Sequence, residues 1–280
     1  MSTYSDYTAL RVDIEHAIAW VTIDNGPVNL FDIVLYGDMR RVAEQLRDDE
    51  AVRVVVLQSA NPEFFIAHFD VSLILQIPVD LAQPAAPTAF HEMCETFRTM
   101  AKATIAKIEG RVGGGGSELA LSCDMRFAAI GRAVLNQPEV ALGIIPGGSG
   151  TQRLPRLIGR SRALEVILGC DDFDAMDAER FGWVNRALPA DEIGPFVERL
   201  ARRIASFPPH AVAAAKASVL LHDGDLSESL RSEGARFNAT LGEPAAQSAM
   251  RRFLQLGGQT VDGERALGSL AGRLATPPQD

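Results

Sequence analysis

Cysteine is scarce in this sequence of 280 residues: Cys94, Cys123 and Cys170 are an odd number and lie far apart. That count excludes a dense disulfide framework, and the spacing lacks the close pairs of a zinc site, so a reduced, cytoplasmic setting without metal is expected. Long apolar runs are also missing. No window of about 18 apolar residues occurs, and Met1 to Leu10 shows no basic stretch followed by an apolar one, so neither a membrane span nor a signal peptide is expected. Basic runs are absent too. The 27 Lys and Arg residues stand against 36 Asp and Glu, a net charge of -9, which argues against nucleic acid as a partner.

What is present is an ordinary globular composition, 47% hydrophobic and 22% charged, enough for a real core. Ala17 to Ile23 is rich in strand formers and ends in the turn cluster Asp24-Asn25-Gly26-Pro27. From Asp32 the apolar positions Val34, Leu35, Met39, Val42, Ala43 and Leu46 recur at spacings of three and four, which predicts an amphipathic helix ending in Arg47 to Glu50. Val52 to Leu57, Thr104 to Ile108 and Met125 to Ala129 are nearly continuous apolar runs. Such strands are buried on both faces, and their return after helical segments predicts parallel pairing in an α/β fold.

Pro78, Pro84 and Pro87 predict a loop before a helix over Ala89 to Ala101. The last hundred residues read as helical throughout, over Ser161 to Leu168, Asp191 to Ser206, His210 to Leu221 and Leu226 to Leu241, with strands confined to the front. Beyond Gly257, glycine, proline and small residues predict a loose tail.

Three motifs carry possible chemistry. Gly113-Gly114-Gly115-Gly116-Ser117-Glu118 follows a strand and opens a helix, where unpaired N–H groups point outward and suit an oxygen that becomes negative. The same run also reads as a tight turn needing glycine for geometry alone. It lacks the lysine and hydroxyl of a phosphate loop. Phe64 to Asp70, with Ala67-His68-Phe69-Asp70 at its end, follows a buried strand; in an open parallel sheet ligands gather at that edge. Asn136-Gln137-Pro138-Glu139 precedes Ile145 to Arg153, which opens a helix with Ser149 as a candidate cap. Glu139 matters chemically only if it faces Glu118.

Taken together, Ala67 to Asp70, Gly113 to Glu118 with Cys123-Asp124 downstream, and Pro138-Glu139 through Pro146-Gly147 to Thr151-Gln152-Arg153 resemble the crotonase (enoyl-CoA hydratase/isomerase) superfamily. The likeness spans residues 10–190, including Asn29. It implies a crotonase-like spiral of β-β-α units over 1–200, with a C-terminal helical region over 201–280 taking part in a trimer or dimer of trimers. It further implies acyl-CoA substrates, with no cofactor beyond the coenzyme A of the substrate. The matching oxyanion-hole amides are Ala67 and Gly115. Two glutamates, matching Glu118 and Glu139, would activate water and deliver a proton.

The same resemblance implies substrate contacts from Ala67, His68, Phe69, Asp70 and Gly115, and places Phe253 near the acyl or adenine end. Keeping both glutamates favours enoyl-CoA hydratase. The alternatives are a Δ3-Δ2 enoyl-CoA isomerase or another acyl-CoA enzyme of the scaffold, and a non-catalytic CoA-ester binder or assembly protein. Four departures stand out: His68 replaces a usual glycine, Glu63 replaces a frequent basic residue, Gly113 replaces a larger apolar one, and Phe253-Leu254-Gln255-Leu256-Gly257-Gly258 replaces a usual basic, proline-containing run. His68 is expected to shape the pocket near its mouth.

Overall fold

The computed structural model describes residues 4–80 and 84–274. Strands β1 (Leu10–Glu15) and β2 (Ile18–Ile23) form a hairpin, and α1 (Ile33–Asp48) leads to β3 (Val54–Ser59). The Asp32 carboxylate caps α1, accepting from the Val34 and Leu35 N–H groups at 3.0 and 2.9 Å. Its predicted stripe of Leu35, Met39, Val42, Ala43 and Leu46 is buried. Each side chain of the larger kind stabilises the fold by roughly 1.5–3 kcal/mol when removed from water.

The chain then repeats one pattern: a long strand, a short strand, and helix. The first turn is β3, β4 (Phe64–Ile66), α2 (Val71–Ile74) and α3 (Ala89–Thr99). The second is β5 (Ala103–Ile108), β6 (Arg111–Gly113) and α4 (Gly114–Leu121). The third is β7 (Met125–Ala129), β8 (Val134–Asn136), α5 (Gly150–Ile158) and α6 (Arg160–Gly169). After β9 (Phe173–Asp174) and α7 (Ala175–Phe181), β10 (Arg186–Leu188) closes the strand region. The long strands form a sheet in the order β1-β2-β3-β5-β7-β10, parallel from β2 onward, and the short ones a second sheet, β4-β6-β8-β9. This is the expected spiral of β-β-α units.

The continuous apolar runs have a direct cause. Val55 and Leu57 of β3 enter the main core, whereas Val54 and Val56 enter a second core on the opposite face. That second face is covered by α8 (Ile193–Ala205) through Ile193, Val197, Ala201 and Ala205. Strands sandwiched this way need no polar side.

After α8 come α9 (Pro209–Leu220), α10 (Ser227–Leu241), α11 (Pro244–Gln255), α12 (Val261–Arg265) and α13 (Leu267–Leu274). Two expectations are corrected here. A strand, β10, does occur in the last hundred residues; three residues are too few to show an alternating period. The stretch after Gly257 is not a loose tail as far as it is described: Leu267 and Leu270 pack with Val71, Leu142 and Phe253. Its small residues allow close approach, as at Gly268, where a Cβ would lie 3.0 Å from the Asp172 nitrogen. Residues 275–280 of that stretch, and 81–83 of the proline-rich loop, lie outside the described residues. No single helix among the described residues is long and apolar enough to cross a membrane.

Candidate active site

The first wall of the site is the segment after β4. Asn29, in left-handed backbone at φ 47°, donates its Nδ2 to the Phe64 and Phe65 carbonyls at 3.0 and 3.1 Å and fixes the strand. Further on, the Phe31 N–H donates to the His68 carbonyl at 2.9 Å, and the Phe31 carbonyl accepts from the Asp70 N–H at 3.2 Å. In such a parallel bridge the central residue, Phe69, turns its own N–H away from the neighbouring strand. That N–H has no acceptor among the described residues, and Phe69 lines a cavity of about 500 Å³.

Ala67 is placed differently. Its N–H donates to the Val28 carbonyl at 3.2 Å, and the residue is outside the lining of this cavity. The assignment of Ala67 as an oxyanion donor is therefore corrected, because its amide is already used to hold the strand. The amide turned toward the cavity is that of Phe69, two residues on.

The second wall is the start of α4. The first amides of a helix have no acceptor within it, and Gly113 supplies no side-chain cap. Gly115 lines the cavity, with space so tight that a Cβ would sit 3.2 Å from the Phe69 Cβ. Gly114 has φ 44°, and a Cβ there would be 2.8 Å from Glu139 Oε1. Gly113, the departure noted above, is required too: a Cβ would lie 2.6 Å from the Ala67 carbonyl oxygen.

Glu118 lies one turn into α4 and is buried. Its Oε1 accepts from the Gly148 and Gly150 N–H groups, both at 2.8 Å. Glu139 begins a short 3-10 turn over Glu139–Leu142 and lines the same cavity. The Gln137 amide, oriented with its nitrogen toward Glu139, donates to both carboxyl oxygens at 3.2 and 3.0 Å. Burial, then the nearby Glu233 charge, pushes the Glu118 carboxyl well above the ordinary range; burial and the Glu118 charge push Glu139 up in the same way. Phe90, Ile74, Leu142, Ile144 and Phe237 make the rest of the wall largely apolar.

Sequence reasoning missed the groups that hold this arrangement. Glu233 of α10 accepts from the Ser149 and Thr151 N–H groups at 2.6 and 3.0 Å, and stands 3.1 Å from His91 Nε2. The amides at the start of α5 thus go alternately to Glu118 and Glu233. Ser149 occupies the cap position, but at φ 102° its side chain makes no cap bond; its Oγ accepts from Arg153 Nε at 2.7 Å. A signal was available for Glu233, which sits three residues after Leu230 on the buried stripe of its helix.

The remaining predicted residues are placed as follows. Asp70 caps α2 and accepts from Gln259 Nε2 at 2.8 Å, outside the lining. Phe253 is buried behind the cavity wall, its ring 5.5 Å from that of His68, and does not line the cavity. His68 does line it but is buried at the back, not at the mouth, with Nε2 at 3.0 Å from Glu264 Oε1. Glu63 pairs with Arg265 of α12, at 2.7 and 2.9 Å. Among the described residues no group of three or more His, Cys, Asp or Glu is arranged to hold a metal ion.

The geometry combines two free amides, two buried carboxyls of raised pKa and an apolar cavity. Such a site can polarise a carbonyl and move protons on adjacent carbons. The comparisons with known proteins agree in family. Residues 13–256 match the family model "Enoyl-CoA hydratase/isomerase". Crotonyl-CoA hydratase of Syntrophomonas wolfei subsp. wolfei is 31% identical over 221 residues, covering 78% of this chain and 84% of that protein. A solved structure from Streptomyces avermitilis, provisionally described as an enoyl-CoA hydratase, superposes with a TM-score of 0.87 at 43% identity, covering 96% and 99% of the two chains. Pseudomonas aeruginosa DspI superposes with a TM-score of 0.71 at 28% identity, over 82% of this chain and 93% of that one. By matched length, motif and fold alike, the chain belongs to the enoyl-CoA hydratase/isomerase family.

Proposed function

We propose that the protein is an enoyl-CoA hydratase, adding water across the C2–C3 double bond of a 2-enoyl-CoA thioester to give the 3-hydroxyacyl-CoA. The observation that carries this reading is the pair of buried carboxyls, Glu118 and Glu139, sharing one apolar cavity with the unpaired amides of Phe69 and Gly115. The names of the relatives lend it support.

The thioester oxygen lies between the Phe69 and Gly115 N–H groups. As water attacks C3, the electron pair of the double bond moves toward that oxygen, and the two fixed donors stabilise the enolate-like charge. Glu118 is the base that takes the proton of the attacking water, because the Gly148 and Gly150 N–H bonds favour its ionised form despite burial. Glu139, without such a pair of backbone donors, is the acid that delivers a proton to C2. One proton leaves water and one reaches carbon, so the site returns to its starting charge after a proton passes between the two carboxyls. The coenzyme A enters as part of the substrate, and the two amides supply the polarisation of the thioester carbonyl.

A homotrimer or dimer of trimers belongs to the same proposal. Helix α9 has no buried residue, and Val219 within it and Leu221 just past its end are 73% and 80% exposed, which supports association of copies through the C-terminal region. Product analysis tests the activity. Crotonyl-CoA should give 3-hydroxybutyryl-CoA, and a 3-enoyl-CoA should be turned over far more slowly; rapid double-bond migration without hydration would favour the isomerase reading.

A further inference from the structure

His68 faces two ways. Its ring belongs to the cavity wall beside Phe69, yet Nε2 reaches behind the wall to Glu264 Oε1 at 3.0 Å, and Nδ1 is 2.8 Å from the Phe69 carbonyl oxygen. Both ring nitrogens meet acceptors. The carbonyl carries no proton, and Glu264 Oε1, which also accepts the Gln259 N–H at 2.7 Å, belongs to a carboxyl that these partners hold below the usual range and so in its ionised form. Each nitrogen therefore bears a hydrogen, and the ring is an imidazolium.

The two partners lie on opposite sides of the wall. Glu264 is absent from the lining of the large cavity and borders a smaller hollow with Arg111, Asn136 and Leu267. The pair is thus a buried dipole with its positive end toward the large cavity. The other charges facing it are Asp70 from the following turn, Glu139, whose Oε1 and the His68 Cβ both lie against Gly114, and Arg111, which faces Glu264 from β6.

The same ring also fixes the peptide geometry. The N–H turned into the cavity belongs to the peptide between His68 and Phe69, whose carbonyl is held by the Phe31 N–H. The next carbonyl, that of Phe69, is held by the His68 ring. Both peptides flanking Phe69 are therefore pinned at their oxygens, one of them by a side chain that depends on Glu264. A glycine at position 68 could make neither the pin nor the charge.

We propose that His68 is a positioning residue for the oxyanion donor: anchored by Glu264, it fixes the Phe69 amide and presents a positive pole to the thioester oxygen. This rests on the hydration reading above. Charge on that oxygen grows toward the transition state, so the contribution belongs to kcat more than to KM.

The test combines hydration kinetics on crotonyl-CoA with the infrared spectrum of bound butyryl-CoA labelled with 13C at the thioester carbonyl, a saturated compound that cannot react. Glu264→Gln keeps shape and an acceptor oxygen while removing the charge; His68→Gly removes pin and charge together. In both, kcat should fall about tenfold or more, a fraction of the loss seen when a whole oxyanion donor is deleted, with KM little changed. The carbonyl band should move back toward its position in free butyryl-CoA. A folded Glu264→Gln protein with the wild-type band and kcat, or with KM alone altered, overturns the proposal, and this variant decides the matter should His68→Gly fail to fold. If the wild-type protein does not hydrate crotonyl-CoA, the hydration reading fails, while the carbonyl band still judges the role of His68.

Discussion

Two groups of equally buried acids behave in opposite ways. Glu118 and Glu139 face the cavity, where burial and neighbouring carboxylates push their pKa values well above the usual carboxylate range. Glu264 sits behind the wall, and although burial alone would raise its pKa, the His68 imidazolium holds it below the usual range. Burial is common to both. The partner decides whether a buried acid stays available for proton transfer or becomes one half of a permanent charge pair.

The largest effects should come from the cavity acids. Glu139→Gln and Glu118→Gln are each expected to lower hydration of crotonyl-CoA by about 10²-fold or more, the range for a positioned acid or base, with butyryl-CoA binding retained in calorimetric titration. Near-normal turnover in either variant would erase the contrast between the two groups.

Next is the pair behind the wall. Glu264→Leu leaves an imidazolium buried without its counter-charge and should reduce stability by about 3 kcal/mol in urea unfolding, as for a broken buried ion pair. An unchanged midpoint would mean that His68 simply loses its proton at little cost.

The smallest effect is the most discriminating, because it depends on sign. Between the ordinary carboxylate range and the raised pKa of Glu118, the folded protein binds more protons than the unfolded chain, so its stability falls as pH rises. Glu118→Gln removes that dependence. It should be more stable than the wild type at pH 8, by about 1 kcal/mol or more, and lose that advantage at pH 4. Glu264 has the opposite sign, its contribution being lost as pH falls through its lowered pKa. Burial alone would lower the His68 pKa, but Glu264 holds it above the usual histidine value, so the histidine's share is present below that usual value and lost as pH rises through the raised one. Thermal unfolding of the variants across this range separates the two groups.

The long strands, α1 and the Gly115 to Glu118 turn were legible because their signals are local: a continuous apolar run, a stripe of spacing three and four, glycines at a helix start. The short strands β4, β6 and β8 were not, having three residues each and no room for a period. The choice between Ala67 and Phe69 could not be made from spacing either. It depends on which amide the Val28 carbonyl consumes, a contact across 39 positions fixed by how two segments run side by side. Glu233 and Glu264 act on His91 and His68 over separations of 142 and 196 residues, where nothing local marks them. The glycines, prolines and small residues after Gly257 even argued for a loose tail, whereas in the described part of that stretch Leu267 and Leu270 are packed.

The late position of Glu264 bears on the order of synthesis. A polypeptide still emerging from the ribosome has every glycine and both cavity acids long before the carboxylate that neutralises His68 has been translated. Until α12 docks, that histidine lacks its hydrogen-bonded counter-ion, so the first-made wall waits for a residue translated 196 positions later. Ripening of the site is thereby tied to synthesis of α12, and a product terminated before Glu264 would carry the recognisable motifs without a finished binding wall.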